Sequence, residues 1–386
     1  MRELPPMTAS PRERLLALDV FRGATVAGML LVNNPGSWGA IYPPLAHAAW
    51  NGWTPTDLIF PFFLFIVGIT THISAEGRRA RGDDDGAILR QVLRRGALII
   101  LFGWLLSAFP FWPITRITEL RLPGVLPRIG LAYIGAALLT RRGSLKSQVI
   151  TLVVLLYGYW FAMTLLPVPG QGGIGANLLD DPNRSLASWL DRLLLDGHLW
   201  KSSRTWDPEG ILSTVPAIGT AMLGVFTGRW LLSPRPLSER LNGMFAAGAL
   251  GMMLGLMWHW SFPINKSLWT SSYVLFTGGL AAVSIATIMW ITDVHRVTKW
   301  TGFFVTYGLN PMAAFLGSGL MAKLIYTLVK VEVDGRPVAV QAIVYRGAFA
   351  SWLPPRDASL AFAICFVLFW YGVLRVMQRR GIVFKV

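Results

Sequence analysis

The chain has 386 residues, 53% hydrophobic and only 14% charged, with a mean hydropathy of +0.50. A water-soluble globular protein carries about 25% charged residues, so that class is excluded. The net charge of +15 does not point to nucleic acid. Its basic residues punctuate alternate gaps between apolar runs rather than forming one face or tail.

Apolar runs of about 20 residues recur along the whole length and predict an all-α polytopic membrane protein. No polar, domain-sized block interrupts them, so residues 1–386 are read as one transmembrane domain. The expected spans are roughly 15–34, 57–75, 95–112, 124–140, 147–166, 210–231, 241–260, 271–292, 302–328 and 357–377. Asp19 and Arg22 break up a signal-peptide core and no small-residue cleavage site follows, which makes the first span an uncleaved helix after a tail at 1–13. Gaps beginning near 76, 141, 229 and 293, together with both termini, hold roughly 21 basic residues against roughly 12 on the other side. Both termini are therefore expected in the cytoplasm, with the loop after the first span on the far side. Two long loops, about 167–209 and 329–356, fall on that far side too, and their Gly, Pro, Asp and Trp content suits a lid. The run Gly308–Pro311 predicts a kink in the ninth span. Cys365 lies in AFAICFVLFW, where nothing activates a thiol, so packing or lipid contact is its expected role.

The densest chemistry lies between Asn33 and Gly68. His47, Asn33, Asn34, Asn51, Asp57 and three tryptophans crowd beside the bilayer, where polar groups are costly. Thr54, Pro55 and Asp57 read as N-cap, N1 and N3 of the second span, so capping alone accounts for Asp57. Asp57 can equally fix the tautomer of His47 and leave the other ring nitrogen as a general base. The asparagine amides can donate to an oxyanion. Trp38, Trp50 and Trp53 are either interfacial anchors or stacking surfaces for a sugar.

Asp19 and Arg22 share one helix face. They form either a self-neutralising pair at the cytoplasmic interface or an anion site for a phosphate-bearing cofactor, with Arg14 at its entrance. Asp207 and Glu209 open the sixth span, as dipole-matched carboxylates or as ligands for sugar hydroxyls or an ammonium. Arg121, Arg128, Asn265 and Lys266 lie on the same side and suit an anionic acceptor or the thioester end of a cofactor. His72, His198, His259 and His295 are weaker candidates, and no pair of them has metal-ligand spacing.

HAAWNGWTPTDLIFPFFLFIVG resembles the signature of the heparan-α-glucosaminide N-acetyltransferase family, a branch of the transmembrane acyltransferases. RLPGVLPRIGLAY, WDPEGILSTVPAIGTAMLG, PINKSLWTSSYV and the GLNP turn resemble its other blocks in the same order, over about 13–380. The resemblance implies acetyl-CoA held from the cytoplasmic side and an acetyl group delivered to an amino sugar on the other. His47 corresponds to the family's catalytic histidine, and Asn33 to the asparagine that assists it. Two routes are implied, an acetyl-histidine intermediate or direct attack within a ternary complex. Direct attack is favoured physically, because an acetyl-imidazole needs shielding from water.

The reading at this point is an acyltransferase of the bacterial inner membrane. His47, Asn33 and Asp57 are its catalytic candidates. Asn51, Trp50, Asp207, Glu209 and Lys266 are the substrate candidates, and Arg22, Asp19, Arg128 and Arg121 the cofactor candidates. Its partners are the bilayer, a CoA thioester and an extracytoplasmic sugar, without metal or nucleic acid; the oligomeric state is open, a homodimer included. The rival readings are a transporter or flippase using the same polar helices as a path, and a structural or signalling membrane protein whose loop binds a partner.

Overall fold

The computed structural model describes residues 15–384; the tail at 1–13, Arg14 and Lys385 lie outside the described residues. The helices are α1 (Leu16–Asn33), α2 (Ile59–Arg79), α3 (Asp85–Ala108), α4 (Thr115–Thr118), α5 (Val125–Thr140), α6 (Leu145–Leu165) and α7 (Leu186–Leu195). They continue with α8 (Ile211–Leu231), α9 (Leu237–Trp258), α10 (Ser271–Met289), α11 (Thr301–Leu309), α12 (Pro311–Lys323), α13 (Val340–Tyr345) and α14 (Pro355–Arg379). Among the described residues, nine helices are long and apolar enough to cross a membrane. The chain is a polytopic, all-α membrane protein. Among the described residues the sheet is a single hairpin, β1 (Lys330–Val333) antiparallel to β2 (Arg336–Ala339).

Three spans differ from expectation. The third begins ten residues early, where the Asp84 side chain caps α3 through the Ala87 N–H. The fourth is only 16 residues long, about 24 Å, and runs along α3 and α8 instead of standing alone in lipid. The ninth is broken in two at Asn310, whose φ of −127° and ψ of 54° are those of a residue kept out of the helical region by the following proline. Asn310 then clamps the tail, its amide donating to Ile382 O at 3.1 Å and accepting from Phe384 N at 2.8 Å.

The inner helices meet through glycine. A Cβ on Gly68 of α2 would lie 1.9 Å from the Ala221 carbonyl oxygen of α8, and one on Gly224 would lie 2.0 Å from that of Phe65. Backbones this close are a common membrane packing mode. Gly68→Leu is expected to lower the melting temperature in detergent, since overpacking costs about 1–3 kcal/mol or more; an unchanged melting temperature would mean that α2 and α8 have room to part. α11 docks on α1 the same way, through Gly23 and Gly308. Because the helix stops there, the Gly308 carbonyl is open to Arg22, whose Nε donates to it at 2.8 Å.

Successive traverses place the loops 34–58, 109–124, 166–210, 259–270 and 329–354 at one end of the bundle. The short turns 80–84, 141–144, 232–236 and 295–300 lie at the other. Both ends carry a cavity, and α1 lines both.

Candidate active site

The site begins where α1 stops. Asn34 is buried and donates to Leu30 O at 2.8 Å, so it closes the helix, while Asn33 faces the cavity. The chain is then fastened to the last helix: Gly36 N and Ser37 N bond to the Ser359 carbonyl and hydroxyl at 3.1 and 3.0 Å. From this anchor it returns to α2 through a short 3-10 turn, Pro55–Leu58.

Asp57 closes that return. Its side chain is 1% exposed, with Oδ2 accepting from the backbone N–H groups of Ala48 and Thr54 at 3.0 and 3.1 Å. Oδ1 lies 2.6 Å from His47 Nδ1. A carboxylate can only accept, so Nδ1 is the donor and the tautomer this bond selects for the neutral ring has its lone pair on Nε2. The capping and orienting roles that the sequence left open meet in one carboxylate. The His47 ring stays 48% exposed, beside a cavity of about 590 Å³.

Lys266 reaches the same ring from the loop between α9 and α10. Gly52, at a φ of +97° that favours glycine, donates to Ile264 O at 2.8 Å. Asn265 Nδ2 donates to Asn51 Oδ1 at 3.1 Å. These bonds lay the two loops side by side. Lys266 Nζ lies 3.0 Å from His47 Nδ1, 3.3 Å from Nε2 and 3.6 Å from Asp57 Oδ1. Nearly equal approach to both ring nitrogens puts the amine over the face of the imidazole. Burial lowers the Lys266 pKa, partly offset by the charges of Asp57 and Glu209.

The far wall belongs to the long loop before α8. Arg121 forks onto Asp207, with Nε and Nη2 donating at 2.8 and 2.6 Å, and Nη2 also bonds Glu209. Burial works against the Arg121 charge, but Asp207 and Glu209 outweigh it and raise its pKa. Arg121, Glu209, Trp50, Trp200 and Trp206 line the cavity. Trp206 meets Trp50 and Trp200 edge-on at 5.3 and 5.8 Å. Arg128 is buried behind this wall, donating to Gly210 O at 3.1 Å and stacked over Trp269.

Asp191 of α7, unnoticed in the sequence, ties α7 to the start of α8 by accepting from Asp207 N at 3.3 Å and Ile211 N at 3.0 Å. Burial pushes its pKa up to about 6 despite those bonds. The folded state thus holds a proton that the unfolded chain releases near 3.8. That contribution to stability is complete below the unfolded value and is lost as pH rises through about 6, beyond which the buried carboxylate costs on the order of 3 kcal/mol. The melting temperature of the wild type relative to Asp191→Asn is expected to fall from about pH 4 to about pH 7. A difference that stays flat across that range contradicts the assignment.

The second cavity, about 1050 Å³, opens at the opposite end and holds Asp19, Arg22, Arg95, Arg240, Asp293 and Arg296. Arg240 Nε is a buried donor with no partner among the described residues. Asp19 and Arg22 pair with each other here. The structure therefore separates the four cofactor candidates, with Arg121 and Arg128 at the His47 end and Asp19 and Arg22 at this one. On α1, Arg22 of one cavity and Thr25 of the other are a single turn apart, about 4.5 Å along the axis.

The remaining candidates hold the scaffold. Asn51 Nδ2 donates to Asp180 at 2.6 Å, and Trp50 Nε1 to Leu179 O at 2.8 Å, so both brace the loop 166–210. His198 Nδ1 donates to Leu120 O at 2.8 Å, and His259 Nδ1 accepts from Ile264 N at 2.9 Å. His72 packs beside Gly228, and His295 meets the Trp290 ring at 4.2 Å. Trp53 packs on Phe276, while Trp38 and Cys365 face outward.

The family model for the catalytic region of heparan-alpha-glucosaminide N-acetyltransferase matches residues 14–264. The heparan-alpha-glucosaminide N-acetyltransferase of Homo sapiens is 31% identical over 352 residues, and that of Mus musculus 30% over 362 residues. The matches cover 79% and 81% of this chain, and 52% and 54% of those proteins. The chain spans about half the length of the curated relatives it matches.

Proposed function

Since the chain belongs to the heparan-alpha-glucosaminide N-acetyltransferase family, we propose that it moves an acetyl group from acetyl-CoA to an amino sugar or glycan across the membrane. The observation that carries this reading is a histidine–carboxylate dyad in a cavity at one end of the bundle and an arginine-rich cavity at the other, whose linings come within about one turn of each other on α1 at Thr25 and Arg22. The dyad end faces the extracytoplasmic side and the arginine end the cytoplasm, in keeping with the distribution of basic residues. Residues 1–386 are read as a single acyltransferase unit, in an inner membrane.

The donor's phosphates suit the second cavity. Arg22, Arg95, Arg240 and Arg296 supply planar donors, and the unpartnered Arg240 Nε is a buried polar group that such a ligand satisfies. Acetyl-CoA supplies an acetyl thioester. At the other end, His47 Nε2 takes the proton from the acceptor amine, and Asp57 holds the ring and stabilises the imidazolium that forms. Asn33 lines the same cavity and donates to the developing oxyanion. The Trp50–Trp206–Trp200 wall offers stacking faces for a sugar, with Glu209 an acceptor for its hydroxyls or ammonium. The exposure of His47 favours direct transfer over an acetyl-imidazole, which water would intercept.

Membranes bearing the chain, given labelled acetyl-CoA and a panel of amino sugars, are expected to yield an acetylated sugar whose mass identifies the acceptor and distinguishes nitrogen from oxygen. Uptake of sugar without any acetylated product would replace this reading by a transporter.

A further inference from the structure

Lys266 is a second amine already inside the site. Its Nζ lies 3.0 and 3.3 Å from the two ring nitrogens of His47 and shares the cavity with that ring. The acceptor proposed above is also an amine that must come within reach of His47 Nε2. A thioester placed for one nucleophile is therefore within reach of the other. Burial favours the uncharged form of this lysine, the form that attacks a carbonyl.

We propose that Lys266 is a self-acetylation site, modified by the bound donor when no acceptor fills the cavity. The inference rests on the transferase reading. The Nζ lone pair attacks the thioester carbonyl carbon, a C–N bond forms and the C–S bond breaks. CoA leaves as the thiolate, and His47 Nε2 takes the proton lost by nitrogen. The product is an Nε-acetyl-lysine, an amide that cannot pass its acetyl group on. It is also neutral, so the cation over the imidazole face is lost, and the bulkier side chain occupies acceptor space. Acetyl-CoA without acceptor then closes the enzyme down, and a bound acceptor shields Lys266.

The test uses the full-length protein in detergent or vesicles, with acetyl-CoA alone, acetyl-CoA plus glucosamine, or neither. Peptide mass spectrometry follows acetylation of Lys266 against exposed Lys201 and Lys330, and product formation is measured in parallel. Lys266 is expected to gain acetyl on the order of a hundredfold faster than either control lysine, as proximity effects of this kind allow. Acceptor should slow that gain, and His47→Ala should abolish the advantage over the controls. Activity lost on preincubation with donor should track the modified fraction, and Lys266→Arg, which keeps a cation but no nucleophile, should lose the time-dependent part of that decline. Acceptor turnover with Lys266 unmodified overturns the inference and leaves the transferase reading standing. Lys266 modified no faster than Lys201, or equally fast in His47→Ala, also overturns it. Absence of both turnover and modification removes it together with the reading beneath it.

Discussion

Replacing His47 by alanine is expected to lower acetyl transfer by roughly 10²- to 10⁴-fold, the usual contribution of a positioned general base. Donor binding should survive, because the arginine cavity lies at the other end of the bundle and shares no lining residue with the His47 cavity. Asp57→Asn is a sharper probe of the same chemistry. An amide can present its NH₂ to Nδ1, which stabilises the wrong tautomer and moves the proton to Nε2. Turnover is then expected to fall by about the same factor as in His47→Ala. The Asp57 carboxylate also accepts two backbone N–H groups that close the loop, so a melting curve must accompany the assay. A variant that folds normally and turns over at the wild-type rate would show that the dyad is only a loop clamp. Calorimetric titration with CoA alongside turnover separates the two steps.

The second large effect belongs to the other cavity. Arg240→Ala and Arg296→Ala are each expected to weaken CoA binding by roughly 10- to 100-fold, the range of a lost charge-assisted hydrogen bond to phosphate. The loss should shrink at high salt and be much smaller for pantetheine, which carries no phosphate. Arg121→Ala, at the opposite end, should leave the affinity for CoA nearly intact, because Arg121 is engaged with Asp207 and Glu209. Equal losses for pantetheine and CoA would mean that these arginines support the fold and not the donor.

Much of this architecture was legible because the bilayer constrains sequence so strongly. Nine of the ten expected apolar runs are helices long enough to cross a membrane, the fourth being a shorter apolar helix, and Pro55 and Pro311 marked a helix start and a break by simple stereochemistry. Helix ends were less legible, since α3 continues through Arg90, Arg94 and Arg95, where a hydropathy profile sees only charge. The His47–Asp57 contact was readable from ten residues of separation and a capping pattern. The approach of Lys266 was not, because 219 residues separate it from His47. It depends on the hydrogen bonds of Gly52 and Asn265.

The arginine cavity was obscured for a different reason. Arg95 lies within α3, Arg240 in the first turn of α9 and Arg296 in the turn after α10, and all three carry the same sequence signature as any residue that fixes membrane orientation. Only packing shows that they converge with Arg22. Asp191 was hidden likewise, as an unremarkable acid whose burial follows from the packing of α7 against the start of α8. Asp207 and Glu209 offer the opposite lesson. Their side chains are occupied by Arg121, which leaves Glu209 at the cavity wall and Asp207 behind it.

The central claim is that donor and acceptor meet from opposite faces of the membrane. Sealed vesicles of known orientation, loaded with labelled acetyl-CoA at the arginine end and offered a membrane-impermeant amino sugar at the His47 end, test it directly. Labelled sugar accumulating in the outer medium, with CoA retained inside, is the predicted result. Label that appears only when both substrates are supplied on one face would contradict it.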